Sequence, residues 1–157
     1  MNLIADRYQD NNDGTVTDVV TKLQWKKCSE GQEWNNQTCT NNPTKYKWDE
    51  AMNIKSNFAN YSDWRLPTIE ELRTLRYCSS EDQPFNDGKK ELNGCKEGYT
   101  SPTIVTEMFP NTPADGFWSS STYTYYNSYA WQLYFNYGND YNNNKGNSYV
   151  VRLVRSI

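Results

Sequence analysis

Rings, more than branched aliphatics, must build the interior of this chain. Leu, Ile, Val and Phe together number 25 of 157 residues, while Tyr, Trp and Phe number 24 (13, 6 and 5). Aliphatic content this sparse accompanies disorder when net charge is also high. Here 16 Lys and Arg stand against 19 Asp and Glu, for a net charge of -3. Each ring can bury roughly 150–250 Å2, so a folded chain with an aromatic core is expected. Asn is the second excess, at 20 residues.

The same composition narrows function. The chain has no His, which excludes Ser-His-Asp triads, Cys-His nucleophile pairs, HExxH zinc sites and histidine acid/base chemistry. A pI of about 5.0 is the opposite of the basic footprint that nucleic acid requires. No apolar run exceeds three residues, far short of the ~20 that span a bilayer. The opening Met1–Arg7 has neither the charged start nor the apolar stretch of a signal peptide, so an export signal is expected outside this sequence. Length, and the lack of internal repeats or linkers, point to one domain over residues 1–157.

Cys28, Cys39, Cys78 and Cys95 contain no CxxC pair, which disfavours zinc. Two disulfides or four reduced thiols remain, and four cysteines allow three connectivities. The sequential pairing, Cys28–Cys39 and Cys78–Cys95, is preferred because each pair brackets a polar loop, Ser29–Thr38 and Ser79–Gly94. Such loops stabilise by roughly 3 kcal/mol each in the chain-entropy model. Disulfides imply an oxidising, extracytoplasmic compartment.

Along the chain, Arg7–Lys27 has the pattern of β structure, with a hairpin turn at Asn12-Asp13-Gly14, then Thr15-Val16-Thr17 and the apolar Val19, Val20, Leu23 and Trp25. An EF-hand fails at this turn because Gln9 and Val20 would occupy positions that need carboxylates. A looser calcium site on Asp10 and Asp13 is the alternative to a plain Asn/Asp/Gly turn, which is preferred, so no metal is assigned. Trp48, Ala51, Met52, Lys55, Phe58 and Ala59 form a helical stripe facing the core. A second helix starts at Pro67, with Thr68 and Glu71 as a capping box and Ile69, Leu72 and Leu75 inward. Residues 79–116 are loop, long enough to suggest function, and Lys89-Lys90 within them suit a solvated surface. The last 40 residues return to strand: Ala130–Phe135 alternates, as does a closing strand over Tyr149–Arg155. Trp118, Trp131 and Phe135 are assigned to the core.

Taken together, several blocks resemble one family. Arg7-Tyr8-x-Asp10-Asn11-x-Asp13-Gly14-Thr15-Val16-Thr17-Asp18, then Leu23-x-Trp25, resembles the opening of the C-terminal domain of the Legionella collagen-like adhesin family. Asp63-Trp64-Arg65-Leu66-Pro67-Thr68-x-x-Glu71-Leu72 resembles its central signature. Phe117-Trp118-Ser119-Ser120-Ser121, Ala130-Trp131, Phe135, Gly138 and Val151-Arg152-x-Val154-Arg155 resemble its ending. The resemblance implies an α+β, C-type-lectin-like fold: two helices packed on a small twisted antiparallel sheet with long loops, related to formylglycine-generating enzymes and to variable binding proteins. It also implies adhesion at a bacterial surface, polysaccharide or glycosaminoglycan ligands, and a homotrimeric tip on a stalk. Arg152 and Arg155 then look structural, pairing with Asp18 or Asp63. Leu153 stands where family endings often carry a cysteine. No cysteine follows Cys95, so the formylglycine-generating activity does not transfer.

The binding candidates lie between Tyr123 and Asn147, where 7 Tyr and 7 Asn fall. Tyr gives large contact area at low rotamer cost and Asn gives adaptable hydrogen bonds, which suits sugars or a partner surface protein. The candidates are Tyr123, Tyr125, Tyr126 and Asn127 before the alternating strand, and Tyr137, Asn139, Asp140, Tyr141, Asn142, Asn143 and Asn144 after it. The expected function is a non-catalytic extracellular recognition module with no cofactor. The alternatives are a diversified ligand-binding protein, suggested by the Asn/Tyr/Ser bias of Tyr123–Tyr149, a structural trimerising tip, or a hydrolase pair such as Asp115 with Asp140, which no spacing singles out.

Overall fold

Asn12 (φ 59°) and Gly14 (φ 87°) turn the chain between β1 (Tyr8–Asp10) and β2 (Thr15–Asp18) in the computed structural model, which describes residues 2–157. Both are at home at positive φ. Asp10 accepts from Asn12 N (2.9 Å) and from Lys27 Nζ (2.6 Å), and Asp13 accepts from Thr15 N (3.0 Å) and its hydroxyl (2.6 Å). These two carboxylates therefore hold the turn. β2 pairs with β3 (Leu23–Lys26), which pairs with the C-terminal Val154–Ser156, giving a four-stranded antiparallel sheet. Val19 and Val20 belong to the tight turn between β2 and β3 rather than to a strand, and Val20 is 64% exposed. Arg7 pairs with Asp18 at 2.6 Å, both buried.

Cys28 is bonded to Cys39, enclosing a small hairpin of β4 (Glu33–Trp34) and β5 (Cys39–Thr40). The helical stripe is shorter than its periodicity suggests. α1 covers only Trp48–Met52, and Met52 is exposed. Asn53 ends the helix by donating its side chain to Asp49 O (2.7 Å), the local competition that keeps Asn out of helix interiors. Ala59 and Asn60 then adopt positive φ (52° and 67°) in a tight turn closed by Phe58 and Tyr61. α2 (Ile69–Arg73) has the expected capping box: Glu71 N donates to Thr68 Oγ1 (3.2 Å), and Thr68 N donates to the Glu71 carboxylate (2.9 Å). Ile69, Leu72 and Leu75 are buried. Ser121 Oγ caps the same terminus by accepting from Ile69 N (2.9 Å).

Residues 79–115 contain no helix or strand. The second sheet follows, with β6 (Gly116–Thr122), β7 (Tyr129–Tyr134) and β8 (Asn139–Asn144) in that order, all antiparallel. β8 has the composition of a turn, yet it pairs with β7 residue for residue. α2 packs on β6 and β7, and α1 on β6.

The expected closing strand over Tyr149–Arg155 is replaced by a seam between the two sheets. Trp118 N donates to Val150 O (3.0 Å) beside β6, Glu30 N to Val151 O (2.8 Å), and Arg65 N to Val154 O (2.8 Å). Only Val154–Ser156, here β9, pairs as a strand, against β3. This segment changes partner every one or two residues, so a single alternating face never forms.

One core cluster draws Tyr8 and Trp25 from the first sheet, Leu72 and Leu75 from the α2 region, Met108 and Phe109 from the long loop, and Phe117, Leu133 and Phe135 from the second sheet region. Its rings meet edge to face: Tyr8–Phe109 at 5.4 Å and Phe117–Phe135 at 4.9 Å, the geometry that aromatic quadrupoles favour. A second cluster holds Trp64, Trp118 and Leu153. Trp118 Nε1 donates to Tyr46 O (2.8 Å) and Trp64 Nε1 to Phe58 O (3.1 Å), so these large rings are buried with their polar atoms satisfied.

The two C-terminal arginines divide their expected partners. Arg155 pairs with Asp63 at 2.7 Å. Arg152 does not reach Asp18, which Arg7 occupies. It lies wholly buried, donates to Lys26 O, Lys27 O and Thr112 Oγ1 (2.9 Å for the last), and sits 4.9 Å from the Phe109 ring centroid. Burial pushes its guanidinium down to about 9, still charged at neutral pH.

Candidate functional site

The Tyr/Asn-rich region is divided by the β7–β8 hairpin into residues that face a cleft and residues that hold the fold. Directly paired residues share a face of an antiparallel sheet. Leu133 pairs with Asp140 and Trp131 with Asn142, so the face that is core at Leu133 opens to solvent at Trp131. Trp131 is half-buried and belongs to neither core cluster, which corrects its assignment to the core. Its ring is the floor of a cleft of about 600 Å3. Tyr123, Tyr137, Asn139, Asp140, Tyr141 and Asn142 line this cleft from the hairpin side, six of the eleven candidates. Tyr137 and Tyr141 are each 60% exposed.

The opposite wall is Glu91–Gly94, from the long loop, and no sequence pattern marked these four residues individually. Three anchors fix it there. The Cys78–Cys95 disulfide closes the loop, and Cys95 N donates to Tyr137 O (2.8 Å). Arg76 Nη1 donates to Asn93 O (2.8 Å) and Gly138 O (3.1 Å), tying the wall to the hairpin turn; burial pushes this guanidinium below its ordinary range. Asp140 Oδ2 accepts from both Arg73 Nε (2.8 Å) and Leu92 N (3.0 Å). Gly138 is required at this junction: its φ is 81°, and a Cβ there would lie 2.6 Å from Cys95 Sγ.

Asp140 is thus a buried clamp rather than an exposed ligand-binding acid. The other acid of the hydrolase pair, Asp115, is bridged to Lys45 at 3.2 Å. Asn143 faces away from the cleft: its amide donates to Tyr134 Oη (3.0 Å) and Tyr149 Oη (2.7 Å), and burial pushes the Tyr134 hydroxyl up to about 12. Asn144 Oδ1 accepts from Gly146 N (2.8 Å) and shapes the turn after β8.

Tyr125, Tyr126 and Asn127 are exposed on the β6–β7 connection, outside the cleft lining. Their region is still joined to it through rings. Tyr126 stacks on Tyr123 at 6.2 Å, Tyr125 lies 5.5 Å from Tyr123, and Tyr123 meets Trp131 edge to face at 5.3 Å. A line of rings therefore leads from the loop tip into the cleft. β8 is the outer strand of its sheet. Asp140 N turns outward to Leu92 O (3.4 Å), and backbone direction alternates along a strand. Asn142 accordingly presents its own N–H and C=O outward, at the cleft.

The arrangement supplies ring faces, amides and one outward backbone pair, which is the chemistry of binding. No curated protein matches the chain in sequence. Residues 14–155, however, match the Lcl C-terminal domain, a span that takes in both disulfides, the capping box on α2 and every residue of the cleft. On that match the chain belongs to the Lcl C-terminal domain family, the adhesin-associated domains of Legionella collagen-like proteins.

Proposed function

We propose that this domain is a non-catalytic recognition module of C-type-lectin-like fold that works outside the cytoplasm and binds a glycan in the cleft between β8 and Glu91–Gly94. The observation that carries the reading is the lining itself. Trp131, Tyr123 and Tyr137 offer ring surface for the apolar faces of sugars, and Asn142 and Asn93 offer amides for hydroxyls. Ligand sites combine apolar area with a few placed polar groups in this way. Membership of an adhesin-associated family supports the same role. The two disulfides support an oxidising location, and no helix among the described residues is long and apolar enough to cross a membrane.

The test is binding of the oxidised protein to a broad glycan array, with and without calcium, beside a Tyr137→Ala/Asn142→Ala double variant. Both positions are at the surface, so the variant is expected to fold. Specific hits that the double variant loses support the reading. A blank array from folded protein, or hits that survive both substitutions, overturns it.

A further inference from the structure

Within this glycan reading, which it presupposes, we infer that the cleft selects amino sugars that carry a free ammonium group, through Glu91 and the surrounding ring faces. The charges at the site are unequal. Two carboxylates line it, Glu91 and Asp140. Asp140 is matched by Arg73 and is buried with it. Glu91 is exposed and, among the described residues, makes no ion pair and no side-chain hydrogen bond. No Lys or Arg lines the cleft. Lys89 and Lys90 precede Glu91 on the loop; both are exposed, lie outside the lining and make no ion pair with it. The lining therefore presents one carboxylate without an ion-pair partner among the described residues, on a protein whose net charge is also negative.

The rings act in the same direction. Trp and Tyr faces attract cations, and the Trp131 ring already does so from beneath, with the Arg73 guanidinium 5.7 Å from its centroid. Among the described residues no cation lies over Tyr137, which is exposed, so its ring is open to a cation. A sugar bearing an ammonium in place of a hydroxyl can lay its apolar face on a ring while the ammonium meets Glu91. N-acetylation removes that charge and keeps the rest of the sugar. A sulfated chain would bring anions to Glu91 with no lining cation to receive them.

The probes are a glucosamine tetrasaccharide, its N-acetylated counterpart and a heparin tetrasaccharide. Each is titrated calorimetrically against the wild-type protein and Glu91→Gln at about pH 6, below the ordinary range of an amine. The expected result is a preference of roughly fivefold for the free amine over the N-acetyl form. That preference, read as the ratio of the two affinities within each protein, falls to about one in Glu91→Gln. Equal binding of amine and N-acetyl forms, a preference that survives Glu91→Gln, or tighter binding of heparin overturns the inference and leaves glycan recognition standing. No binding of any probe, together with a blank glycan array, removes both readings.

Discussion

Asp140→Ala tests whether the hairpin and the long loop are held by a buried ion pair. In the folded protein the Asp140 and Arg73 side chains are 4% and 6% exposed and 2.8 Å apart. Removing the carboxylate leaves Arg73 with one remaining acceptor, Gly88 O at 3.2 Å, and the Trp131 ring. It also strips Leu92 N of its only side-chain partner. A buried charge stranded in this way costs about 3–5 kcal/mol, a large part of a typical stability of about 5–15 kcal/mol. At ~2–4 °C per kcal/mol for a chain of this size, the melting temperature should fall by roughly 6–20 °C. Urea unfolding is the assay, with Asp140→Asn as a milder arm that keeps an oxygen acceptor and loses only the charge. The double variant Arg73→Met/Asp140→Leu should recover much of the loss, because apolar groups of similar volume often replace a buried pair at little cost. A single Asp140→Ala variant within about 1 kcal/mol of wild type, with ligand binding weakened, would refute the clamp and return Asp140 to the binding surface.

The other expectations concern the same wall and the acid limb of stability. Cys78→Ser/Cys95→Ser, which opens a loop of sequence separation 17, should cost about 3 kcal/mol in denaturant unfolding and speed amide exchange across Glu91–Gly94; unchanged exchange there would mean that Arg76 and Asp140 suffice. Gly138→Ala, at φ 81° with its Cβ against Cys95 Sγ, should destabilise by about 1–3 kcal/mol, measured in the same way. Burial alone would raise the Glu71 carboxyl, but hydrogen bonds from Arg65 and Thr68 outweigh it and hold the group below its ordinary value. A depressed carboxylate stabilises above its unfolded pKa and loses that contribution as pH falls through the folded one. Unfolding free energy should therefore decline below about pH 4.5, and Glu71→Gln should flatten that decline; an unchanged acid slope would show that Glu71 contributes nothing to it.

What the sequence displayed, and what it hid, divides by the range of the interactions involved. The Asn12-Asp13-Gly14 turn and the Thr68/Glu71 capping box are legible because their determinants lie within a few residues and act through the local backbone. The stripe from Trp48 to Ala59 had the right period, but Asn53 and the positive φ of Ala59 and Asn60 end the helix early, and hydrophobic spacing carries no record of either. β8 is the reverse case. Asn139-Asp140-Tyr141-Asn142-Asn143-Asn144 has poor strand propensity, yet it forms a strand because β7 offers it a complete ladder and its own side chains satisfy neighbouring groups. Strand preference is largely such context.

The cleft was half visible for the same reason. Tyr and Asn density marks the hairpin wall, because those residues lie together in sequence. The facing wall arrives through bonds of long separation, Leu92 to Asp140 across 48 residues and Arg76 to Gly138 across 62, and no local pattern encodes them. This also explains why Asp140 and Asn143 look like ligand residues in the sequence: a side chain that clamps a hairpin and one that meets a sugar are drawn from the same polar alphabet. Only the partner already in place, Arg73 for Asp140 and two tyrosine hydroxyls for Asn143, separates them from Tyr137 and Asn142, whose outward groups remain open to a ligand.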